Sequence, residues 1–422
     1  MFGAITYKRP VNLIVAVNII AYAFLFFTIK PYEWHTLAIG LSTILLICTA
    51  YYIIIKRKLG DEYLFLIISM LISLGVMMIY RLDRSLGLKQ IIWTAAGILL
   101  FLISCYTFIK IRKWHRFTYF YIGVPVLLYL TTLALGRNIN GATNWLVIGG
   151  YSFQPSELSK ILYIMFLACY FKDRDKLFLK NSHYSDKTKT MANKAILMLV
   201  TYLNVGFLIL QREWGTAVLF FLIYLLTLYI YGKDTVFFIA NLILTLPVGL
   251  AGYLFFYHIR VRIETWINPW ADITGKGYQI TQSLFAIGSG GFFGTGIGMG
   301  RPDMVPAVST DFIFSAICEE MGTFTGAAVV LLYMLLAYRG FKIVLNVRDR
   351  FLKVLASGVT VMIGLQTFII IGGVIKLIPL TGITLPFISY GGSSLTTSFI
   401  TLGILQAVSS VDIDSVDGEA DE

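Results

Sequence analysis

Three carboxylates in one apolar stretch are the first residues of this chain that could do chemistry. The segment TDFIFSAICEEMG places Asp311 at the mouth of a helix-forming apolar run, with Glu319 and Glu320 inside it. An acid at a helix start is commonly an N-cap. In apolar surroundings it can equally serve as a general base. Spacing alone leaves Asp311 open between cap and catalyst. At about 1.5 Å per residue, Glu319 lies roughly 12 Å further along the same helix. A turn of about 100° per residue puts it some 80° from Asp311 and sets Glu320 on the opposite face. Glu319 and Glu320 therefore read as structural charges with separate roles, each paired inside a helix bundle.

Three further patches carry polar residues into apolar surroundings. In NWLVIGGYSFQPSELSK, residues 144–160, Pro155 suits the first position of a helix. Glu157 then falls in the first turn, where the dipole favours an anion. Lys160 enters hydrocarbon one turn deeper, where a lysine is expensive and by default functional. A local i, i+3 pair with Glu157, or snorkelling to the interface, explains it equally well. In the segment 260–300, Arg260 and Arg262 could clamp a phosphate, Gln279 and Gln282 are candidate substrate-binding residues, and close backbone packing at the membrane is the alternative reading of its glycines. Its glycines lack a Walker A lysine and the G-x-G-x-x-G spacing, which disfavours a nucleotide site. In PLTGITLPFISYGGSSL, residues 379–395, glycines and prolines break an apolar region. Broken backbone at membrane depth is tolerated when it lines a cavity, so the segment reads as a pocket wall or a plain helix-connecting loop, and Ser389, Tyr390 and Ser393, like Gln154 and Glu157, are candidate substrate-binding residues.

Such residues need a scaffold, and composition says which. With 57% hydrophobic and 14% charged residues, the chain carries far fewer charges than the roughly 25% of a soluble domain. About twelve apolar runs of membrane-spanning length follow one another, near 11–29, 37–55, 62–80, 90–109, 117–135, 155–171, 196–211, 214–232, 234–257, 312–337, 355–377 and 390–409. The expected fold is an all-α polytopic membrane protein. Residues 1–61 form an N-terminal hairpin, 62–410 the membrane core with an outer segment 258–311, and 411–422 an acidic tail without order. The loop 172–195 is polar and basic and reads as a mobile surface loop. The outer segment's aromatics, Trp266, Trp270, Tyr278, Phe285, Phe292 and Phe293, argue for a structured element on the outer leaflet.

Lysine and arginine crowd alternate loops, around 56–58, 110–116, 172–194 and 339–353. By the positive-inside rule these loops and both termini are cytoplasmic, and the patches above face outward. The formal charge of +11 then reflects topology and anionic lipid headgroups rather than nucleic acid. The four cysteines fall within apolar runs and the four histidines are scattered, so neither a disulfide framework nor a metal-ligand cluster is visible.

Taken together, the patches resemble the SEDS family of bacterial membrane proteins, which includes FtsW, RodA and SpoVE. NWLVIGGYSFQPSELSK, QREWGTA (211–217), NPWADITGKGYQITQSLFAIGSGGFFGTGIG, TDFIFSAICEEMG and PLTGITLPFISYGGSSL match family signatures in the family's order. The resemblance implies a ten-helix core preceded by two extra spans. It implies polymerisation of lipid II into glycan strands at the outer face of the cytoplasmic membrane, beside a class B penicillin-binding protein. It puts the family's essential aspartate at Asp311 and its membrane lysine at Lys160, favouring a remote partner for that lysine. Asp311 would take the proton of the acceptor 4-OH while the donor inverts. Arg260 and Arg262, with or without a divalent cation such as magnesium or manganese, would offset the leaving diphosphate. Burial would raise the pKa of Asp311 and pairing with Lys160 would lower it. The chain departs from the pattern at Asn144, where many members have arginine, and at Arg212 and Glu213, which replace Pro-Asp. Ser309 lies in a stretch that lacks the usual preceding Glu and His. A lipid II flippase and a non-catalytic scaffold for the penicillin-binding protein are the alternative functions.

Overall fold

Helix ends fall where the sequence supplies caps and breakers. Asp61 caps one helix by accepting from Tyr63 N at 3.0 Å. Asp234 caps another through Phe237 N at 3.0 Å, and Pro155 opens a third at the first position. The computed structural model describes residues 10–28, 34–111, 113–139, 142–172 and 186–417. Its helices are α1 (Val11–Thr28), α2 (Trp34–Lys56), α3 (Glu62–Leu82), α4 (Arg84–Lys110), α5 (Thr118–Leu135), α6 (Pro155–Lys172) and α7 (Asp186–Leu210). They continue as α8 (Trp214–Tyr231), α9 (Thr235–Phe255), α10 (Tyr257–Ile267), α11 (Tyr278–Gly290), α12 (Ile313–Asn346), α13 (Arg350–Val374) and α14 (Gly392–Asp417). Among the described residues, ten helical segments are long and apolar enough to cross a membrane.

Helices stand at all of the expected runs, yet α6 and α14 fall outside that set of ten. The reason is polarity. Glu157, Lys160 and Lys172 charge α6, while hydroxyls crowd the first half of α14. Thr397, Ser398 and Thr401 return those hydroxyls to carbonyls one turn back, at 2.8, 2.7 and 2.8 Å, which satisfies them without water. Two boundaries differ from expectation. Helix α7 begins at Asp186, so the basic loop is shorter than 172–195, and residues 173–185 lie outside the described residues. Helix α14 runs to Asp417, into the acidic segment, because extending an existing helix is cheap compared with nucleating one.

The chain divides into two compact units. The first comprises Met1–Cys105, Tyr257–Arg339 and Gln366–Glu422. Here α1 and α2 attach along α3. Asn18 donates to Ser73 at 2.8 Å, Tyr51 donates to Glu62 at 2.8 Å, and the hydroxyls of Thr36 and Tyr80 meet at 3.2 Å. Helices α10 and α11, with short 3-10 turns at Pro269–Asp272 and Pro302–Met304, give the segment 258–311 the structure its aromatics implied.

The second unit comprises Tyr106–Phe256 and Gly340–Leu365. The connection between α5 and α6 is a three-stranded antiparallel meander of β1 (Arg137–Ile139), β2 (Ala142–Ile148) and β3 (Tyr151–Phe153). Gly149 and Gly150 join β2 to β3 with φ of 58° and 86°, the left-handed pair that a two-residue hairpin turn needs.

Helix α12 is two helices in one. Gly322, at φ 82° and ψ 163°, breaks it. Residues 323–346 alone extend about 36 Å at the usual rise, enough to cross a bilayer. Glu319 and Glu320 precede the break, so the acids of the opening segment lie outside the long spanning stretch.

Candidate functional site

Asp311 stands two residues ahead of Ile313, where α12 begins, so the cap position falls to Phe312. Among the described residues no first-turn N–H donates to the Asp311 carboxylate; the Thr310 hydroxyl, which donates to Ala307 O at 3.2 Å, lies near enough to lower its pKa, and the capping role is not the one Asp311 plays. The turn beneath it is tied off by one carbonyl. Ala307 O accepts from Thr310 N, Asp311 N and Phe312 N at 3.1, 3.1 and 3.3 Å. Ala307 itself adopts φ 55°.

The broken segment 379–395 grips that turn from the side. Tyr390 N donates to Ser309 O at 2.8 Å. Ser389 Oγ donates to Thr310 O at 2.5 Å and accepts from Leu385 N at 2.9 Å. Gln90 of α4 donates to Ser389 O at 3.3 Å, and Tyr333 of α12 donates to Pro386 O at 2.5 Å. Ser389 is thus buried and engaged with backbone, holding the Asp311 turn. Burial and the nearby charge of Asp83 push the Tyr390 phenol up. Ser393 is buried in the first turn of α14.

Arg262 brings the positive charge. From α10 it donates to Thr381 O at 2.8 Å and faces Gly382. A Cβ on Gly382, at φ 72°, would lie 3.3 Å from Arg262 Nη2 and 3.6 Å from Asp311 Oδ2. The missing side chain keeps open the space that the carboxylate and the guanidinium share. Burial pushes the Asp311 carboxyl above its usual range, while Thr310 and Arg262 pull it back. Burial lowers Arg262, and Asp311 opposes that. The result is a partly buried acid with a hydroxyl and a guanidinium in its field. Such an acid can take a proton from an acceptor hydroxyl more readily than a solvated Asp can.

Arg260 lies two residues from Arg262, about 200° around α10, so the two do not form one clamp. Gln279 is exposed and Gln282 half-buried on α11. Among the described residues, no contact joins either to Asp311. The described residues hold no group of three or more His, Cys, Asp or Glu side chains suited to a metal.

In the second unit the meander and α6 build a separate polar cluster. Lys160 is only 4% exposed and pairs with Glu157 at 2.9 Å, its local i, i+3 partner. Two residues of α6 one turn apart meet without any chain rearrangement, which is why the local pair forms. Gln154 donates to Glu213 Oε1 at 2.9 Å, and Ser156 and Asn144 lie near enough to that carboxyl to lower its pKa. Burial pushes Glu213 up, aided by the charge of Glu157. Two departures from the signature pattern, Asn144 and Glu213, thus lie in one polar cluster. Arg212 holds φ 64° at the turn before α8.

Glu319 and Glu320 were expected to act separately because a helix sets them on different faces. Both instead serve the strap of residues 291–301. Glu319 Oε1 accepts from Arg301 N at 2.7 Å and Glu320 Oε2 from Gly298 N at 3.1 Å. The strap wraps around the end of the helix at the Gly322 break, so it reaches both faces. Arg81 is the functional-site residue that sequence reasoning missed. It closes on Glu320 at 2.7 Å, and an arginine at the end of an apolar run gives no sign of a partner so distant in the chain.

Residues 61–412 match the model of the FtsW/RodA/SpoVE family, described as cell cycle proteins. The peptidoglycan glycosyltransferase RodA of Mycobacterium tuberculosis is 36% identical over 398 residues, covering 89% of this chain and 84% of that protein. Stage V sporulation protein E of Bacillus subtilis is 32% identical, covering 84% of this chain and 98% of that protein. A solved chain from a peptidoglycan synthase complex, in which polymerization and crosslinking are structurally coordinated, superposes with a TM-score of 0.68 at 26% identity. It covers 84% of this chain and 98% of its own. The rod shape determining protein RodA of Thermus thermophilus gives a TM-score of 0.57 at 26% identity, over 83% of this chain and 96% of that one. With its signatures, multi-pass helical architecture and family match in agreement, the chain belongs to the FtsW/RodA/SpoVE family.

Proposed function

We propose that this membrane protein is a peptidoglycan glycosyltransferase that polymerises lipid II, with Asp311 as its general base. The observation that carries the reading is Asp311 itself. It is a carboxyl raised by burial, held on a backbone-clamped turn and set beside Arg262. The acceptor sugar hydroxyl gives its proton to Asp311 as its oxygen bonds to the donor's anomeric carbon. The anomeric C–O bond to the lipid diphosphate breaks from the opposite face, so the centre inverts. Arg262 offsets the charge that develops on the departing diphosphate. Asp311 then returns its proton to solvent. A divalent cation, if the reaction needs one, arrives with the diphosphate, since Mg²⁺ is commonly held by substrate phosphates and few carboxylates.

The partner we assign is a class B penicillin-binding protein, supported by the synthase complex to which the chain is similar. The site faces outward and both termini face the cytoplasm, supported by the basic loops at 56–58, 110–116 and 339–353. Asp272→Cys should label from outside intact cells and Asn346→Cys only after permeabilisation. The reverse pattern would overturn the orientation.

The decisive experiment is polymerisation of lipid II by purified protein, with and without the partner. Asp311→Asn keeps the size and shape of the side chain and removes the base. Its rate should fall at least about 10²-fold, up to the roughly 10⁴-fold typical of losing such a group, with lipid II still bound. A flippase or a scaffold would make no polymer at all. A parent that yields no glycan, or an Asp311→Asn variant that polymerises normally, sinks this reading.

A further inference from the structure

We infer that Glu319, Glu320 and Arg81 are positioning residues that clamp the neck of the loop carrying Asp311. The inference rests on the glycosyltransferase reading of Asp311 and adds to it the device that holds the base in place.

The backbone comes first. In an unbroken helix Glu319 O would accept from residue 323 and Glu320 O from residue 324. Gly322 breaks both bonds, and the strap replaces all four lost partners. Thr295 N donates to Glu319 O at 2.9 Å and Gly296 N to Glu320 O at 3.0 Å. In return Thr323 N and Phe324 N donate to Gly291 O and Phe292 O at 2.9 and 3.2 Å. Backbone meets backbone so closely that side chains do not fit. A Cβ on Gly294 would lie 2.3 Å from Glu320 O, and one on Gly322 would lie 2.2 Å from Phe292 O. This is why glycine stands at 294 and at 322.

The glutamate side chains then close a second layer. Arg301 N donates to Glu319 Oε1 at 2.7 Å across a separation of 18 residues. Asp311 lies within one residue of the middle of the loop so closed. Gly298 N binds Glu320 Oε2, and Arg81 from α3 binds both Glu320 at 2.7 Å and Gly300 O at 3.2 Å. One guanidinium thus ties α3, the strap and α12 together at the loop's neck.

A plain structural pin would explain the contacts but not the choice of residues. The Glu320 side chain is 0% exposed, and a buried ion pair of this kind is commonly no more stabilising than apolar side chains of equal volume. What a charged, hydrogen-bonded neck supplies is a single geometry, and the group suspended from it is the reacting carboxyl. Misplacement by about 1 Å can cost 10²-fold in rate.

The test compares Glu319→Ala, Glu319→Gln and Glu320→Gln with the parent. Glu319→Ala removes the acceptor for Arg301 N, whereas Glu319→Gln keeps one. Glu320→Gln keeps an acceptor for Gly298 N and loses the charge that faces Arg81. We expect kcat to fall about 10- to 100-fold in Glu319→Ala and Glu320→Gln, with KM within about twofold and Glu319→Gln near the parent. A loosened loop wets Asp311, whose charged neighbour is Arg262 of α10. The acid limb of kcat/KM should therefore move to lower pH in the two impaired variants. Hydrogen exchange provides a readout that needs no activity, with amides of 305–311 exchanging faster in Glu319→Ala while those of 323–346 do not change. Parent-like kcat, pH limb and exchange in Glu319→Ala would overturn the clamp. So would a loss of kcat with the limb unmoved and exchange raised throughout α12. A parent that makes no polymer would instead fail the glycosyltransferase reading, leaving exchange to decide the clamp.

Discussion

Two sites, one in each unit, treat a buried charge in opposite ways. In the second unit Lys160 is neutralised on its own helix by Glu157 at 2.9 Å. The nearby Glu213 is surrounded by the neutral groups of Gln154, Ser156 and Asn144. In the first unit Asp311 has the nearby Thr310 hydroxyl and the field of Arg262, and the rest of its support comes from backbone contacts of the turn that carries it. A local pair lowers the cost of placing a charge in an apolar medium. An acid left without one keeps a perturbed pKa, and perturbed groups concentrate where chemistry happens. The difference separates a charge made safe from a charge kept reactive.

The comparison breaks most severely at Lys160. Lys160→Met leaves Glu157 buried without its cation, and removing one partner of a buried pair costs roughly 3–5 kcal/mol. Polymerisation should drop to at most a few per cent of the parent, and the melting temperature should fall. The double variant Lys160→Met/Glu157→Gln sharpens the point. If Lys160 serves only to neutralise Glu157, the double variant regains stability and activity together. We expect it to regain stability alone, with polymerisation still at a few per cent, because a lysine at that depth is retained for its charge. Recovery of both would reduce the cluster to a structural pair.

Arg262 comes next. Arg262→Gln removes the charge facing the leaving diphosphate, and kcat should fall about 10- to 100-fold, in the range seen on losing one preorganised donor. It also removes the charge that, after the Thr310 hydroxyl, holds the Asp311 carboxyl down. The acid limb of the rate profile should therefore rise in pH, opposite to the shift expected for the neck variants. A limb that does not move would separate Arg262 from the base and leave it a binding role.

How much of this was legible in the sequence depends on the range of the interaction. Long apolar runs announced the helices, since hydrophobic length is a local property, and Asp311 stood out as an acid against an apolar run. Glu157 and Lys160 sit one turn apart, so their pairing was open to the sequence as an alternative. The Gly149–Gly150 hairpin was legible in principle, as a glycine pair between β-prone residues, and was hidden by its position between two spans. The strap was not legible. Its bonds exist because Gly322 leaves the helix, and the glycines from 291 to 300 say only that backbones approach closely. Which backbone they approach, and that Arg81 would meet Glu320, are tertiary facts without a local trace.

The smallest expected effect tests the comparison without chemistry. Burial sets the folded pKa of Asp311 above its unfolded value, which is about 3.9 for an ordinary Asp. Below the unfolded value both states hold the proton and the full contribution to stability is present. As pH rises through the folded value, the unfolded state has already released its proton and the contribution is lost. Asn cannot ionise, so Asp311→Asn should melt slightly above the parent at pH 7 to 8. The gap should close as pH falls toward about 4. Lys160→Met should instead melt below the parent at pH 7 to 8, since it leaves a carboxylate buried rather than removing one. Opposite signs at the two sites would confirm that one charge is tolerated for reactivity and the other is neutralised for stability. A destabilised Asp311→Asn at neutral pH would mean that Asp311 is held by contacts that favour its charge, and the contrast between the units would fail.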